Sequence, residues 1–335
     1  MKIAVLCGGT STEREVSLKT SEKVAMALKS KGHQVILVDA FLGTHGNSGF
    51  DVGQDIADAA QQYRAMTCLI NDEMRKSRDF FGPGVIEICK EADIVFIGLH
   101  GENGEDGKVQ AAFDLMNVKY TGSGYLGSAV AMSKKHTKSV LSGVIPMPEG
   151  IVLDRKNPFR ERFSVPCVIK PSNGGSSVGV RIVENDADYD EALMYVFKYD
   201  ETVLVEEYIK GRELTQGVLG GRALPPVEII PEEGFYDYER KYNGKTLEVC
   251  PADITREVLE EMSRYSLLAG EILGLSVYYR IDYILDNRGR LFALEANTLP
   301  GMTDTSLIPQ EAAAEGVDYP ELCELIIDLS MEKYR

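Results

Sequence analysis

The chain has 335 residues, 44% of them apolar and 26% charged, with 36 basic side chains against 52 acidic ones for a net charge of −16. That length suits two or three units, each with its own core, and the acidic balance argues against a nucleic-acid surface or an anionic membrane as partner. No apolar run reaches the roughly 18 residues of a membrane span, the apolar run at the N-terminus is too short for a signal peptide, and the six cysteines are scattered without CxxC spacing, which fits free thiols in a cytoplasmic protein.

Ile3 to Cys7 reads as a buried strand. Gly8-Gly9-Thr10-Ser11-Thr12-Glu13 turns it into a helix from about Glu15 to Lys31, closed by Gly32, and Gln34 to Val38 is the next strand. A β–loop–α–β unit of this kind predicts a parallel sheet, and its Gly-rich turn is either a ligand loop at a helix N-terminus or simply a tight turn. Residues 41–83 read as an insertion or long excursion with a polar helical segment. Asp93 to Leu99 is a further buried strand, running into His100-Gly101-Glu102-Asn103-Gly104-Glu105-Asp106-Gly107. Polar residues and glycines at the C-terminal end of a parallel strand are where open α/β sheets place ligands.

A second unit starts near Tyr125, with Lys134, Lys135 and Lys138 on one helix. The strand Val165 to Lys170 leads into Ser172-Asn173-Gly174-Gly175-Ser176-Ser177-Val178-Gly179, then the strand Val180 to Glu184. Such a loop can bend over phosphates and donate backbone N–H groups. Val203 to Ile209 is a strand. A third unit starts near Leu214. Residues 234–246 are aromatic and charged without period and read as a loop. Thr255 to Leu273 is an amphipathic helix ended by Gly274, and a last helix spans about Pro320 to Met331.

Between those two helices lies Tyr279 to Asn297, two β-rich runs flanking Asp286-Asn287-Arg288-Gly289. This predicts a hairpin. With the turn on those four residues, Leu285 faces Arg290 and Arg280 faces Glu295, with Asp282 on the diagonal. Tyr279, Ile281, Tyr283, Leu285, Phe292, Leu294 and Ala296 then form a core face, and Arg280, Asp282, Glu295 and Asn297 a polar one. Two carboxylates and an amide in one patch suit Mg²⁺. The pattern equally fits a solvated sheet face carrying an Arg–Glu pair.

Six stretches, in order along nearly the whole chain, resemble D-alanine–D-alanine ligases: GGTSTEREVSL from Gly8, HGENGEDG from His100, KPSNGGSSVG from Lys170, YDYERKY from Tyr236, RID from Arg280 and LEANTLPGMT from Leu294. The resemblance implies the ATP-grasp fold, α/β and α+β. It divides the chain into an N-terminal parallel α/β substrate domain (1–124), a central ATP-clamping lobe (125–213) and a C-terminal lobe with the metal site (214–335). It also implies joining of two D-alanines through an acyl-phosphate, with D-alanine and ATP as small-molecule partners and a homodimer as the assembly.

Residue by residue, the resemblance implies Asp282, Glu295 and Asn297 as ligands of two Mg²⁺, with Mn²⁺ as a substitute. Lys134, Lys170 and Lys241 meet phosphates, Glu206, Glu207 and Ile209 meet the adenine, and Glu213 meets the ribose. Glu13 holds the first ammonium, linked through Ser176 to Tyr242, and His100 lies near the first carboxylate. Arg280 and Gly301 stabilise the oxyanion, and Ser306 and Leu307 surround the second carboxylate. Departures are the 41–83 stretch and Leu299, where many relatives carry a small polar residue. D-alanyl-D-lactate or D-alanyl-D-serine synthesis is the sister activity, and Tyr242 favours the dipeptide.

Overall fold

The computed structural model describes residues 1–44, 49–231 and 246–335. The first sheet has the order β2-β1-β3, with β1 (Lys2–Cys7), β2 (Gln34–Asp39) and β3 (Ile94–Ile97) all parallel. β1 is nearly continuous in apolar residues, as a strand covered on both faces must be. The helix Arg14–Ser30 makes the crossover and buries Leu18, Val24, Ala25 and Leu28. The stretch expected as an excursion contributes to this core instead. The helix Ile56–Met66, capped by the Asp55 side chain, buries Ile56, Ala60 and Tyr63, and the Tyr63 hydroxyl donates to the Gly43 carbonyl at 3.2 Å. Leu322, Cys323, Ile326 and Ile327 of the helix Tyr319–Glu332 complete the same cluster.

The second sheet is antiparallel, in the order β4-β7-β5-β6, built from β4 (Gly150–Asp154), β5 (Cys167–Pro171), β6 (Arg181–Val183) and β7 (Thr202–Glu207). The third comprises β8 (Gly211–Leu219), β9 (Arg222–Ala223), β10 (Val227–Pro231), β11 (Thr246–Val249), β12 (Tyr278–Asp286) and β13 (Leu291–Asn297). Its order is β11-β10-β8-β12-β13, with β9 against β8. The helix Arg256–Leu273 packs Met262, Tyr265 and Ala269 onto it, N-capped by Thr255 and closed by Gly274 at φ +68°. No helix among the described residues is long and apolar enough to cross a membrane.

The hairpin forms, but in a different register. Its turn is one residue longer than expected, so Leu285 faces Leu291. Asp286 holds this turn by accepting from the Arg288 and Arg290 amides at 2.9 and 2.8 Å. A further slip of one residue follows between Asp282 and Tyr283, because Leu294 is an extra residue in β13. The first slip reverses which side chains face inward: Leu291 and Ala293 are buried, whereas Phe292 and Leu294, expected in the core, are half-buried. The second slip restores the polar face beyond the bulge, with partners moved by two. Asp282 faces Glu295 and Arg280 faces Asn297.

Beneath the first Gly-rich turn, Arg14 and Asp39 form a buried ion pair, 2.5 Å between Nη2 and Oδ2, with exposures of 6% and 0%. Arg14 also donates to the Gly9 carbonyl at 2.8 Å, and Asp39 accepts from the Phe41 and Leu42 amides. Gly8 sits at φ +73°, where a Cβ would lie 2.1 Å from Asp39 Oδ2, so only glycine lets the loop pass over the pair. Removing one partner of a buried pair leaves an uncompensated charge. Asp39→Ala is therefore expected to lose about 3–5 kcal/mol of stability, read from the midpoint and slope of a urea unfolding curve.

Candidate active site

A cleft of about 420 Å³ opens between the second and third sheets. β12 and β13 present Arg280, Asp282 and Glu295 to it, while β5, β7 and the chain after β7 present Lys170, Glu206, Glu207, Ile209 and Glu213. Lys134 reaches in from the start of the helix Lys134–Leu141. Eight of the residues expected around nucleotide and metal thus line one cavity together with Arg280, and Val168, Ile209, Ile284 and Leu294 supply apolar surface. Asn297 stands at an adjoining narrow pocket with Lys134, Glu295 and Glu105.

The cations here are held by carboxylates. Arg280 grips Asp282 through Nε at 2.8 Å and Nη2 at 2.9 Å. Burial works against the Arg280 charge, but the Asp282 pair more than offsets it and keeps the guanidinium pKa above its ordinary value. Asp282 also accepts from Thr215 Oγ1 at 2.6 Å and Asn297 Nδ2 at 2.9 Å. Lys134 Nζ lies 3.0 Å from Glu295 Oε2 and donates to the Gly174 carbonyl at 2.7 Å, so it ties the hairpin to the loop after β5.

Deeper in, Lys170 contacts one oxygen of Glu206 at 2.5 Å and Lys138 the other at 2.7 Å. Lys138 had no assigned role. Its i+4 spacing from Lys134, which puts both on one helix face, was the available signal.

The Gly-rich loops meet at a second focus. Ser17 accepts from the Gly8 amide at 2.9 Å and donates to the Gly98 carbonyl at 2.7 Å, and Ser11 donates to the His100 carbonyl at 2.6 Å. These bonds set Glu13 against Gly101, where a Cβ would lie 2.7 Å from Glu13 Oε2. The Ser176 hydroxyl crosses from the β5–β6 loop to donate to Glu13 Oε1. His100 is buried, with Nε2 3.1 Å from Thr20 Oγ1 and Nδ1 3.5 Å from Glu105 Oε1. Burial pushes the Glu105 carboxyl up, and the His100 hydrogen bond partly opposes it. Glu105 also went unassigned, although it stands within the motif that supplied His100.

Gly301 and Ser306 adjoin one another in the turn after β13, where a Gly301 Cβ would be 3.0 Å from Ser306 Oγ. Ser306 accepts from the Thr303 amide at 3.0 Å and occupies the N-cap position of the helix Leu307–Ala314, with its hydroxyl directed to the preceding turn, and Leu307 packs on Val227 and Ile229. Lys241 and Tyr242 lie outside the described residues.

Asp282, Glu295 and Asn297 offer hard oxygen donors on one polar face, and they fit Mg²⁺. Among the described residues there is no cluster of three or more His, Cys, Asp or Glu that could cage a metal alone. An ion here would therefore complete its shell with phosphate oxygens and water.

Burial raises the Glu206 pKa, but attraction to Lys170 and Lys138 and their hydrogen bonds outweigh it and hold the carboxyl below its usual range. A depressed carboxylate stabilises the fold above its unfolded pKa of about 4.3, and that contribution is lost as pH falls through the folded value. Lys138→Met is therefore expected to cost about 1–3 kcal/mol near neutral pH. The cost should shrink as acid protonates Glu206 in both proteins, as urea unfolding from pH 7 to pH 3 would record.

Comparison with known proteins agrees with this architecture. Models of the D-ala D-ala ligase N-terminus and C-terminus match residues 2–123 and 149–328. A D-alanine–D-alanine ligase of Pediococcus pentosaceus is 42% identical, over 98% of this chain and 97% of the relative. The Bacillus anthracis D-alanine–D-alanine ligase complexed with ATP superposes with a TM-score of 0.76 at 28% identity, covering 99% and 98% of the two chains. VanG, a D-Ala:D-Ser ligase of Enterococcus faecalis, superposes at 0.77 and 27% identity, covering 98% and 99%. The fold is the mixed ATP-grasp architecture, a parallel sheet joined to two antiparallel ones, and the chain belongs to the D-alanine–D-alanine ligase family.

Proposed function

We propose that this enzyme joins two D-alanine molecules at the expense of ATP, making D-alanyl-D-alanine for peptidoglycan precursors in the cytoplasm. The observation that carries the reading is the directly opposed Asp282 and Glu295 in the same cleft as Lys134 and Lys170. Amide formation from a carboxylate at neutral pH needs a better leaving group than oxide. A carboxylate oxygen of the first D-alanine attacks the γ-phosphorus of ATP, ADP leaves, and an acyl-phosphate forms. The amine of the second D-alanine, after losing a proton, attacks the acyl carbon, and phosphate leaves with its bonding electrons.

The roles that the family resemblance implies fit that chemistry. Lys134 and Lys170 neutralise phosphate charge, exchanging carboxylate partners for the nucleotide. Glu206, Glu207, Ile209 and Glu213 receive adenine and ribose. Magnesium held by Asp282, Glu295 and Asn297 would supply further neutralisation of the triphosphate. Glu13 holds the first ammonium and Ser176 orients Glu13, with His100 near the first carboxylate. Arg280 and the Gly301 amide face the oxygen that gains charge as the amine adds. Ser306 and Leu307 border the second carboxylate. Lys241 and Tyr242 complete the phosphate contacts and the link to Ser176. The chain divides at residues 1–124, 125–213 and 214–335, and two copies assemble as a dimer.

Product analysis with ATP, Mg²⁺ and D-alanine, with D-lactate and D-serine as competitors, tests the reaction. Dipeptide is the expected product, and its absence overturns the proposal. Asp282→Asn and Glu295→Gln should each remove most turnover while leaving the circular dichroism spectrum unchanged, and near-normal rates at saturating Mg²⁺ would refute the metal assignment. Lys134→Ala is expected to weaken ATP binding by roughly tenfold or more, the loss of one charged hydrogen bond. Lys135→Ala, altering an exposed neighbour, should stay close to the parent in the same nucleotide titration.

A further inference from the structure

β8 has β12 along one edge for its full length, from Gly211 facing Asp286 to Leu219 facing Tyr278. Its other edge is divided. β10 pairs with Glu213 to Thr215, and β9 with Val218 and Leu219. Gly217 falls in the gap, and a peptide N–H left without a partner in the interior is costly. Glu311, on the helix Leu307–Ala314, supplies the missing acceptor. Its two oxygens lie 2.9 and 3.0 Å from the Gly217 nitrogen, and the residue is fully buried.

This contact needs glycine on the strand. A Cβ at Gly217 would lie 2.1 Å from Glu311 Oε2 and 2.3 Å from Ile308 Cδ1. Gly217 is the cross-strand partner of Arg280, and opposed residues project their side chains from one face. The Glu311 carboxylate therefore takes the place of a side chain beside Arg280. Burial pushes its pKa well up, the Gly217 amide and the Arg280 charge pull it back, and Asp282 adds to the rise. Burying a carboxyl here is costly, and no step of the reaction described above uses it.

We propose that Glu311 is a positioning residue that sets the gap between Arg280 and the start of its own helix, the N-cap Ser306 and Leu307. That gap is the half-site of the second D-alanine. The inference rests on the roles given above to Arg280, Ser306 and Leu307. The helix carries both the second-carboxylate residues and, one turn on, the anchor to the strand beside Arg280. Loosening the anchor moves one wall of the half-site relative to the other, and leaves the nucleotide cleft and the Glu13 focus in place.

The test uses the full chain, saturating ATP and Mg²⁺, and initial rates over a wide D-alanine range, which give a Michaelis constant for each half-site. Glu311→Ala is expected to raise the second constant about tenfold, the scale of one lost hydrogen bond to a charged group, with the first constant and that for ATP within about twofold of the parent. Glu311→Gln, whose amide oxygen still accepts from Gly217, should return the second constant to within about threefold. An increase in all three constants together, or a lowered melting temperature with all three unchanged, overturns the proposal. Should Glu311→Ala fail to fold, Gly217 hydrogen exchange in the parent decides. Protection equal to the paired amides of β8 supports the anchor, and fast exchange overturns it. A parent that makes no dipeptide refutes the ligase reading instead, and leaves the exchange result to judge the anchor.

Discussion

One extra residue in one strand governs this site. Leu294 interrupts the pairing of β12 with β13, and beyond it Asp282 stands directly opposite Glu295. Directly opposed residues hold their Cβ atoms about 4.5–5.5 Å apart, close enough for two carboxylates to share a cation and too close for both to sit uncompensated. Arg280 and Lys134 answer that constraint, Arg280 on Asp282 and Lys134 on Glu295. The bulge also turns Leu294 toward the cleft. A bulge next to an active site commonly re-aims side chains in this way.

The same logic runs through the rest of the cleft. The protein is strongly acidic overall, yet its putting together of a polyphosphate and two carboxylate substrates demands concentrated positive charge. Arg280, Lys134, Lys138 and Lys170 are all oriented by internal carboxylates. Such pairs hold the cations in place, so that in the proposed reaction a phosphate reaching Lys134 or Lys170 would exchange one anionic partner for another without a search through rotamers.

Much of this was legible in the residues. The strands of the parallel sheet, the Gly-rich loops, the helix ended by Gly274 and the membership of the hairpin's polar face follow from periodicity and turn chemistry. The hairpin's partners did not, because the turn took a fifth residue, Arg290, beyond Gly289, and Leu294 formed a bulge that no glycine or proline marks. Phe292 and Leu294 were misplaced for that reason. Residues 41–83 looked like an excursion because Gly-rich and polar runs break any clear period in them, yet Phe41, Ile56 and Tyr63 are spaced to reach a core already present. Lys138 and Glu311 were missed because each acts through a residue far away in sequence, and Glu105 because it meets His100 across a Gly-rich loop that has no period to show which side chains converge. The Glu206–Lys138 and Gly217–Glu311 contacts bridge separations that no local pattern reports.

The helix Tyr319–Glu332 returns to the first sheet and closes its core with Leu322, Cys323, Ile326 and Ile327. The consequence is for biosynthesis. β1, β2 and β3 precede both later sheets in the chain, but one part of their apolar cover, the helix Tyr319–Glu332, follows those sheets, so the first sheet waits, incompletely sealed, while they are made. Contacts of such long sequence separation slow folding and leave apolar surface open to association in the meantime. Until the helix Tyr319–Glu332 docks, the chain keeps one apolar face of its first sheet uncovered.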